Sequence, residues 1–186
     1  MNYADYYDCD ICNGNHVGMS LFVSGCPFHC KGCFNQETWD YNYGKEWTQE
    51  VQEKFLNLVA RDYIKRVTFV GGSPLCDENI KVVDDIILAI RIRYPEKQIW
   101  VYTGYKWEDI YDPEYYETLP FDLNAEYYRS QVLDNIDVLI DGQFECDKKD
   151  SSLAFRGSNN QRIIDVKKSI KSGEVILWNE DDKGEY

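Results

Sequence analysis

Apolar residues recur along this chain in two rhythms. In the stretch 47–60, Trp47, Val51, Phe55, Leu58 and Val59 follow the i, i+4, i+8, i+11, i+12 spacing of one helical face. Thr48 stands where an N-cap belongs, and Glu50 falls in the first turn, near the positive end of the helix dipole. A second helix is expected over 77–94, with Asp77 as the N-cap candidate. Ile80, Val83, Ile87 and Ile90 share one of its faces, and Pro95 stops it. The other rhythm is a set of short apolar runs bounded by turn residues, over 17–24, 66–70, 98–103 and 136–140. Their length suits buried strands.

Strand and helix alternate, which is the pattern of an α/β protein with a parallel sheet. A closed eight-fold barrel needs about 250 residues, so a 186-residue chain can build only an incomplete, open β/α barrel. The loop after 17–24, Gly71-Gly72, Thr103-Gly104 and Asp141-Gly142 each follow a strand. In a parallel sheet those ends share one face, where ligands bind. Elsewhere the pattern is weaker. Residues 1–16 are polar and rich in tyrosine, with a turn at Asn13-Gly14-Asn15. The segment 105–128 reads as irregular, 130–135 as a short helix and 145–160 as a charged loop. A β-hairpin is expected at about 162–178, turning at Lys171-Ser172-Gly173, and the last eight residues read as frayed. No internal repeat or linker divides residues 1–186, so one domain is expected.

The formal charge of −13 argues against a nucleic-acid or anionic-membrane surface, since both reward clustered lysine and arginine. No apolar run approaches the ~20 residues of a membrane helix, and no signal peptide opens the chain, so a cytoplasmic protein is expected. The fifteen tyrosines and five tryptophans read mostly as packing.

The chemistry is concentrated in Cys26-Pro27-Phe28-His29-Cys30-Lys31-Gly32-Cys33-Phe34-Asn35. Three cysteines in a C-x3-C-x2-C spacing, delivered by a strand into a Pro- and Gly-containing loop, suit a metal cluster. A structural zinc or a [4Fe–4S] cluster usually takes four protein ligands, so a group of three leaves one corner open. An iron without a protein ligand can bind substrate. Three other readings stand beside this one. They are a zinc knuckle closed by His29, His16 or a remote cysteine, a disulfide-bonded loop, and unremarkable thiols. An odd total of seven cysteines weakens the disulfide reading. Cys9 and Cys12 form a C-x2-C with no partner pair and read as free thiols, and Cys76 and Cys146 as isolated structural residues.

C-x3-C-x2-C is also the cluster motif of the radical S-adenosylmethionine (SAM) enzymes. More closely, the chain resembles the activating enzymes of the anaerobic, class III ribonucleoside-triphosphate reductases. The matching features begin with Asn2-Tyr3, Leu21-Phe22-Val23-Ser24-Gly25-Cys26 and the cysteine loop. They continue through Thr38-Trp39, Gly71-Gly72-Ser73-Pro74-Leu75 and Trp100-Val101-Tyr102-Thr103-Gly104-Tyr105. Asp137-Val138-Leu139-Ile140-Asp141-Gly142 and Arg156-Gly157-Ser158-Asn159-Asn160-Gln161-Arg162 close the series, so the resemblance covers roughly residues 1–165.

That resemblance implies a partial, TIM-like radical SAM fold. It implies that Cys26, Cys30 and Cys33 ligate three irons of a [4Fe–4S] cluster while SAM chelates the fourth. Gly32, Cys33 and Phe34, with Gly71, Gly72 and Ser73, are the implied SAM contacts. The family pattern has Asp or Glu after the paired glycines where this chain has Ser73, so backbone contacts from Gly72 survive and a carboxylate contact does not. The implied protein substrate is the catalytic subunit of the anaerobic reductase, and the implied electron donor is flavodoxin-like or ferredoxin-like. Two other functions remain open at this point. One is activation of another glycyl-radical enzyme, such as pyruvate formate-lyase; the other is a zinc-stabilised binding module without catalysis.

Overall fold

The computed structural model describes residues 1–113 and 124–179. Seven strands form one mixed sheet. They are β1 (Asn2–Asp10), β2 (Gly18–Val23), β3 (Lys45–Glu46), β4 (Arg66–Gly71), β5 (Gln98–Tyr102), β6 (Val138–Asp141) and β7 (Arg162–Asp165). The spatial order is β3-β1-β2-β4-β5-β6-β7. β2, β4, β5 and β6 are parallel neighbours; β1 and β7 flank them antiparallel, and β3 pairs antiparallel with β1. Five helices are present among the described residues: α1 (Gln49–Val59), α2 (Asp77–Arg93), α3 (Trp107–Ile110), α4 (Ala125–Asn135) and α5 (Val166–Ser172).

The four parallel strands are buried on both faces, which is why they read as continuous apolar runs rather than alternating ones. Alternation sorts their side chains nevertheless. Leu21, Val23, Val67, Phe69, Ile99, Val101 and Leu139 belong to the main core, with Phe55 and Leu56 of α1, Ile80 and Ile87 of α2, and Val132 and Leu133 of α4. Each such side chain, fully buried, contributes about 1.5–3 kcal/mol. The opposite face carries Ser20, Thr68, Trp100 and Val138 in one register row. There Trp100, Val138 and Ile140 make a second cluster, packed by Tyr102, Phe155, Ile163 and Trp178.

The first helix starts as its pattern predicts, with the Thr48 hydroxyl accepting from Val51 N at 3.3 Å. The second has Cys76, not Asp77, at its N-cap and without a side-chain cap bond; Asp77 is instead its first residue, still well placed for the dipole. Residues 1–16, read as a polar stretch with a turn, contain a nine-residue strand. β1 is hidden in the sequence because tyrosines and aspartates occupy it and only Tyr3 and Asp10 are buried. In the segment expected to be irregular, 107–110 is helical and α4 begins at Ala125, five residues before the expected start. The remainder of that segment, 114–123, lies outside the described residues, as does the expected frayed tail from 180 on.

At about 162–178, β7 pairs mainly with β6, and α5 follows it directly. The chain then returns beside β7 through the bridge Ile164↔Leu177 and the bonds Asp165 N to Ile176 O (2.9 Å) and Trp178 N to Ile163 O (2.9 Å). A helix, not a tight turn, makes the connection. Gly173 ends that helix at φ 73°, a left-handed conformation that glycine adopts without penalty.

Candidate cluster and cofactor site

A cavity of about 580 Å³ lies where the parallel strands end. That volume falls within the range of small-molecule sites. Every turn expected to meet there does: the cysteine loop after β2, Gly71 and Gly72 after β4, Thr103 and Gly104 after β5, and Gly142 after β6.

The cysteine loop is held at its start by backbone bonds. Gly25 N donates to Thr38 O at 2.8 Å and Cys26 N to Trp39 O at 3.2 Å. Cys33 N donates to Cys30 O at 3.1 Å, tightening the C-x2-C turn. Gly32 at φ 75° and His29 at φ 46° make the reversals, and His29 packs on Trp39 at 4.9 Å between ring centroids. Cys26, Cys30 and Cys33 are all half-buried and all line the cavity. Burial pushes the thiols of Cys26 and Cys30 above the ordinary cysteine value. Iron would reverse that, because a coordinating thiol loses its proton. Asn35 N points at Cys33 Sγ, 3.4 Å away, and a sulfur receiving a backbone N–H is suited to a cluster thiolate.

The candidate SAM residues divide. Cys33, Phe34, Gly71 and Gly72 line the cavity. Ser73 is buried behind it, at 1% exposure, and its hydroxyl has no partner. Gly32 does not line the cavity, and a β-carbon on it would meet Cys146 Sγ at 3.3 Å. Among the described residues no three His, Cys, Asp or Glu side chains come close enough to share one metal ion. A four-iron cluster asks for something else, one thiolate per iron.

Much of the wall was not legible in the sequence. Below the cavity, fully buried Arg66 donates to the carbonyls of Asp10 and Asn13 (3.0 Å each) and of Asn15 (2.9 Å), to the Thr68 hydroxyl, and to the Asp10 carboxylate at 3.3 Å. These bonds fix the loop that brings Cys12 and Asn13 to the cavity. Above it lies the loop 143–157, which supplies Gln143, Phe144, Lys149, Leu153, Phe155 and Arg156. The loop is closed on itself by the bridge Lys149↔Ser158 and tied down by the Tyr102 hydroxyl, which donates to Phe155 O at 2.6 Å. Phe28 packs edge-on against Tyr105 at 4.9 Å and fills the space where Gly104 has no side chain. Of these, Phe28 sits inside the cysteine motif and Tyr102 beside a recognised strand end; the loop 143–157 carries only a charged, Ser-rich signature. Arg162, at the end of the Arg156–Arg162 motif, is paired with Asp141 and with Glu108 (2.8 Å).

The donor set and the space both fit a cluster with a small-molecule ligand. Three thiols face one cavity, and the backbone beside them at Gly72 leaves no room for a side chain.

The chain is similar to characterised proteins over most of its length. The family described as "4Fe-4S single cluster domain" matches residues 12–164. The anaerobic ribonucleoside-triphosphate reductase-activating protein of Escherichia coli (strain K12) is 40% identical over 165 residues, covering 88% of this chain and 97% of that protein. The protein of the same name from Pasteurella multocida (strain Pm70) is 39% identical over 165 residues, with 88% and 96% covered. That of Enterobacteria phage T4 is 35% identical over 163 residues, with 88% and 93% covered.

Proposed function

The chain belongs to the family of anaerobic ribonucleoside-triphosphate reductase-activating proteins, and from that premise we propose how its residues carry out the activation. It is an activating oxidoreductase that installs a glycyl radical on the anaerobic reductase. Cys26, Cys30 and Cys33, which line one cavity, would hold the [4Fe–4S] cluster through their thiolates, with SAM bound beside it. When bound, the cluster and SAM would together supply the one-electron radical chemistry by which a hydrogen is taken from a glycine of the reductase.

The protein's own part is orientation and exclusion of water. Gly72 lines the cavity and offers its backbone carbonyl to the amino-acid end of SAM, its N–H being bonded to Val23 O. Phe34, 62% exposed at the rim and packed on Phe144 at 5.3 Å, shields the side of the cavity. Leu153 and Phe155 cover it from the loop above. Ser73, facing away from the cavity, leaves recognition at that turn to the backbone.

We read the sheet as an incomplete, open β/α barrel whose concave face holds the cavity, and residues 1–186 as a single radical SAM domain. An open barrel suits a substrate that is itself a protein, because a peptide loop must reach the cluster face. A flavodoxin-like or ferredoxin-like protein is the expected electron donor, and the cytoplasm, where thiols stay reduced, the expected compartment. No helix among the described residues is long and apolar enough to cross a membrane.

The observation that carries this reading is the meeting of three cysteines and the Gly71-Gly72 turn on one cavity. Anaerobic incubation with SAM, a reductant and the reductase should yield a glycyl-radical EPR doublet on the reductase. A doublet on pyruvate formate-lyase alone would reassign the substrate, and zinc without iron or sulfide in the anaerobically purified protein would sink the reading.

A further inference from the structure

Asn79 lies in the first turn of α2, 2% exposed, outside both motifs. Its side-chain amide nitrogen donates to Ser24 O at 2.9 Å and to Ser73 O at 3.1 Å, and reaches Gly25 O at 3.5 Å. Ser24 and Gly25 are the last residues before the first cysteine of the loop. Ser73 immediately follows the paired glycines. One buried side chain therefore bonds both of the neighbouring segments whose continuations line the cavity.

Backbone bonds join the same segments, Gly72 N to Val23 O and Ser73 N to Gly25 O, both at 2.8 Å. They pin the strand ends together. The amide adds a tie from a third element, α2, whose place is set by the core through Ile80, Val83 and Ile87. An amide carries two hydrogens in a fixed plane, so it holds the Ser24 and Ser73 carbonyls in one mutual geometry, with Gly25 O at the edge of reach, where a hydroxyl or an apolar side chain would not.

We propose that Asn79 is a positioning residue for cofactor binding: it sets the separation between the cysteine loop and the Gly71-Gly72 turn, so that a ligand spanning both meets both. The inference rests on the radical SAM reading above. A group that must bridge an iron and a backbone turn is sensitive to their spacing, and misplacements of about 1 Å can cost a hundredfold in rate. A simple helix brace would affect stability alone.

The test compares anaerobically reconstituted wild type with Asn79→Leu, Asn79→Asp and Asn79→Gln. Leu matches the volume without a donor. Asp turns a carboxylate toward the three carbonyls. Gln keeps the donor on a longer arm. Iron and sulfide content, melting temperature and the SAM dissociation constant, read from the EPR of the reduced cluster, are measured for each. We expect Asn79→Leu and Asn79→Asp to retain about four irons per chain but to bind SAM at least tenfold more weakly, about 1.4 kcal/mol, with a blunted spectral change. Asn79→Gln should recover part of the loss. SAM affinity within twofold of wild type in the Leu and Asp variants, whatever their melting temperatures, would overturn the proposal. If Asn79→Leu fails to fold, the Asp and Gln variants decide by the same criterion. A wild-type cluster indifferent to SAM would instead remove the reading on which the inference rests.

Discussion

The backbone of Gly72 lies so close to Gly25 that a β-carbon on residue 72 would stand 2.4 Å from the Gly25 carbonyl oxygen. The turn after β4 and the start of the cysteine loop are thus in contact, backbone to backbone. Gly72→Ala forces them apart, and neither side has a flexible atom to yield. We predict loss of SAM-dependent activation by about a hundredfold and a destabilisation of about 1–3 kcal/mol, with iron content retained. Activity assay, thermal melting and iron analysis on the same preparation check all three.

Gly104 stands in the same relation to an aromatic ring. A β-carbon there would meet Phe28 Cδ2 at 2.4 Å, and Phe28 is wedged against Tyr105. Gly104→Ala should push Phe28, and the cysteine loop with it, into the cavity. The expected result is a SAM KM raised about tenfold, and Phe28→Leu in the same chain should restore part of it by relieving the clash.

These contacts mark what the sequence could and could not show. The apolar runs of β2, β4, β5 and β6 and the spacing in α1 were legible because burial on known faces leaves a periodic trace. So was the convergence of the strand-end turns, which follows from a parallel sheet. β1 was not, since its tyrosines and aspartates carry no alternation that differs from a polar segment. The loop 143–157 was invisible as a cavity wall because its contacts are long-range, such as Tyr102 to Phe155 O. Asn79 and Arg66 looked like ordinary positions within a helix and a strand; only the fold brings each against several carbonyls. Ser73 was legible as a departure from its family's pattern, but not as a side chain turned inward.

Arg66 and Asp10 form an ion pair with almost no solvent contact, with side chains 0% and 5% exposed. Removing one partner strands the other, so Arg66→Met should cost about 3–5 kcal/mol. Asp10→Asn combined with Arg66→Met should cost clearly less than the sum, and chemical denaturation of the four variants measures the coupling. Burial works to raise the Asp10 carboxyl, but the Ser20 hydroxyl, the Cys12 N–H, Arg66 and Asn13 outweigh it and hold the pKa below the ordinary value. Stability from this group is therefore full above about pH 4 and lost as the pH falls through its folded value.

Asp84 acts in the opposite sense. Burial, reinforced by Asp85, pushes its carboxyl up to about 6, and its Oδ1 has no hydrogen-bond partner. A raised carboxyl pKa costs stability as the pH climbs from about 4 toward 6, and the loss persists above. Asp84→Asn should therefore melt higher than wild type at pH 8, with the difference shrinking toward pH 4. Melting curves at the two pH values would refute this if the variant gained nothing at pH 8.

The most direct measurement is EPR of anaerobically reconstituted, dithionite-reduced protein, with and without SAM. We predict a reduced [4Fe–4S] signal that changes when SAM is added and is absent in Cys30→Ala. A chain that retains zinc instead of iron, or a cluster whose spectrum is indifferent to SAM, would contradict the assignment of Cys26, Cys30 and Cys33 to an open-iron site.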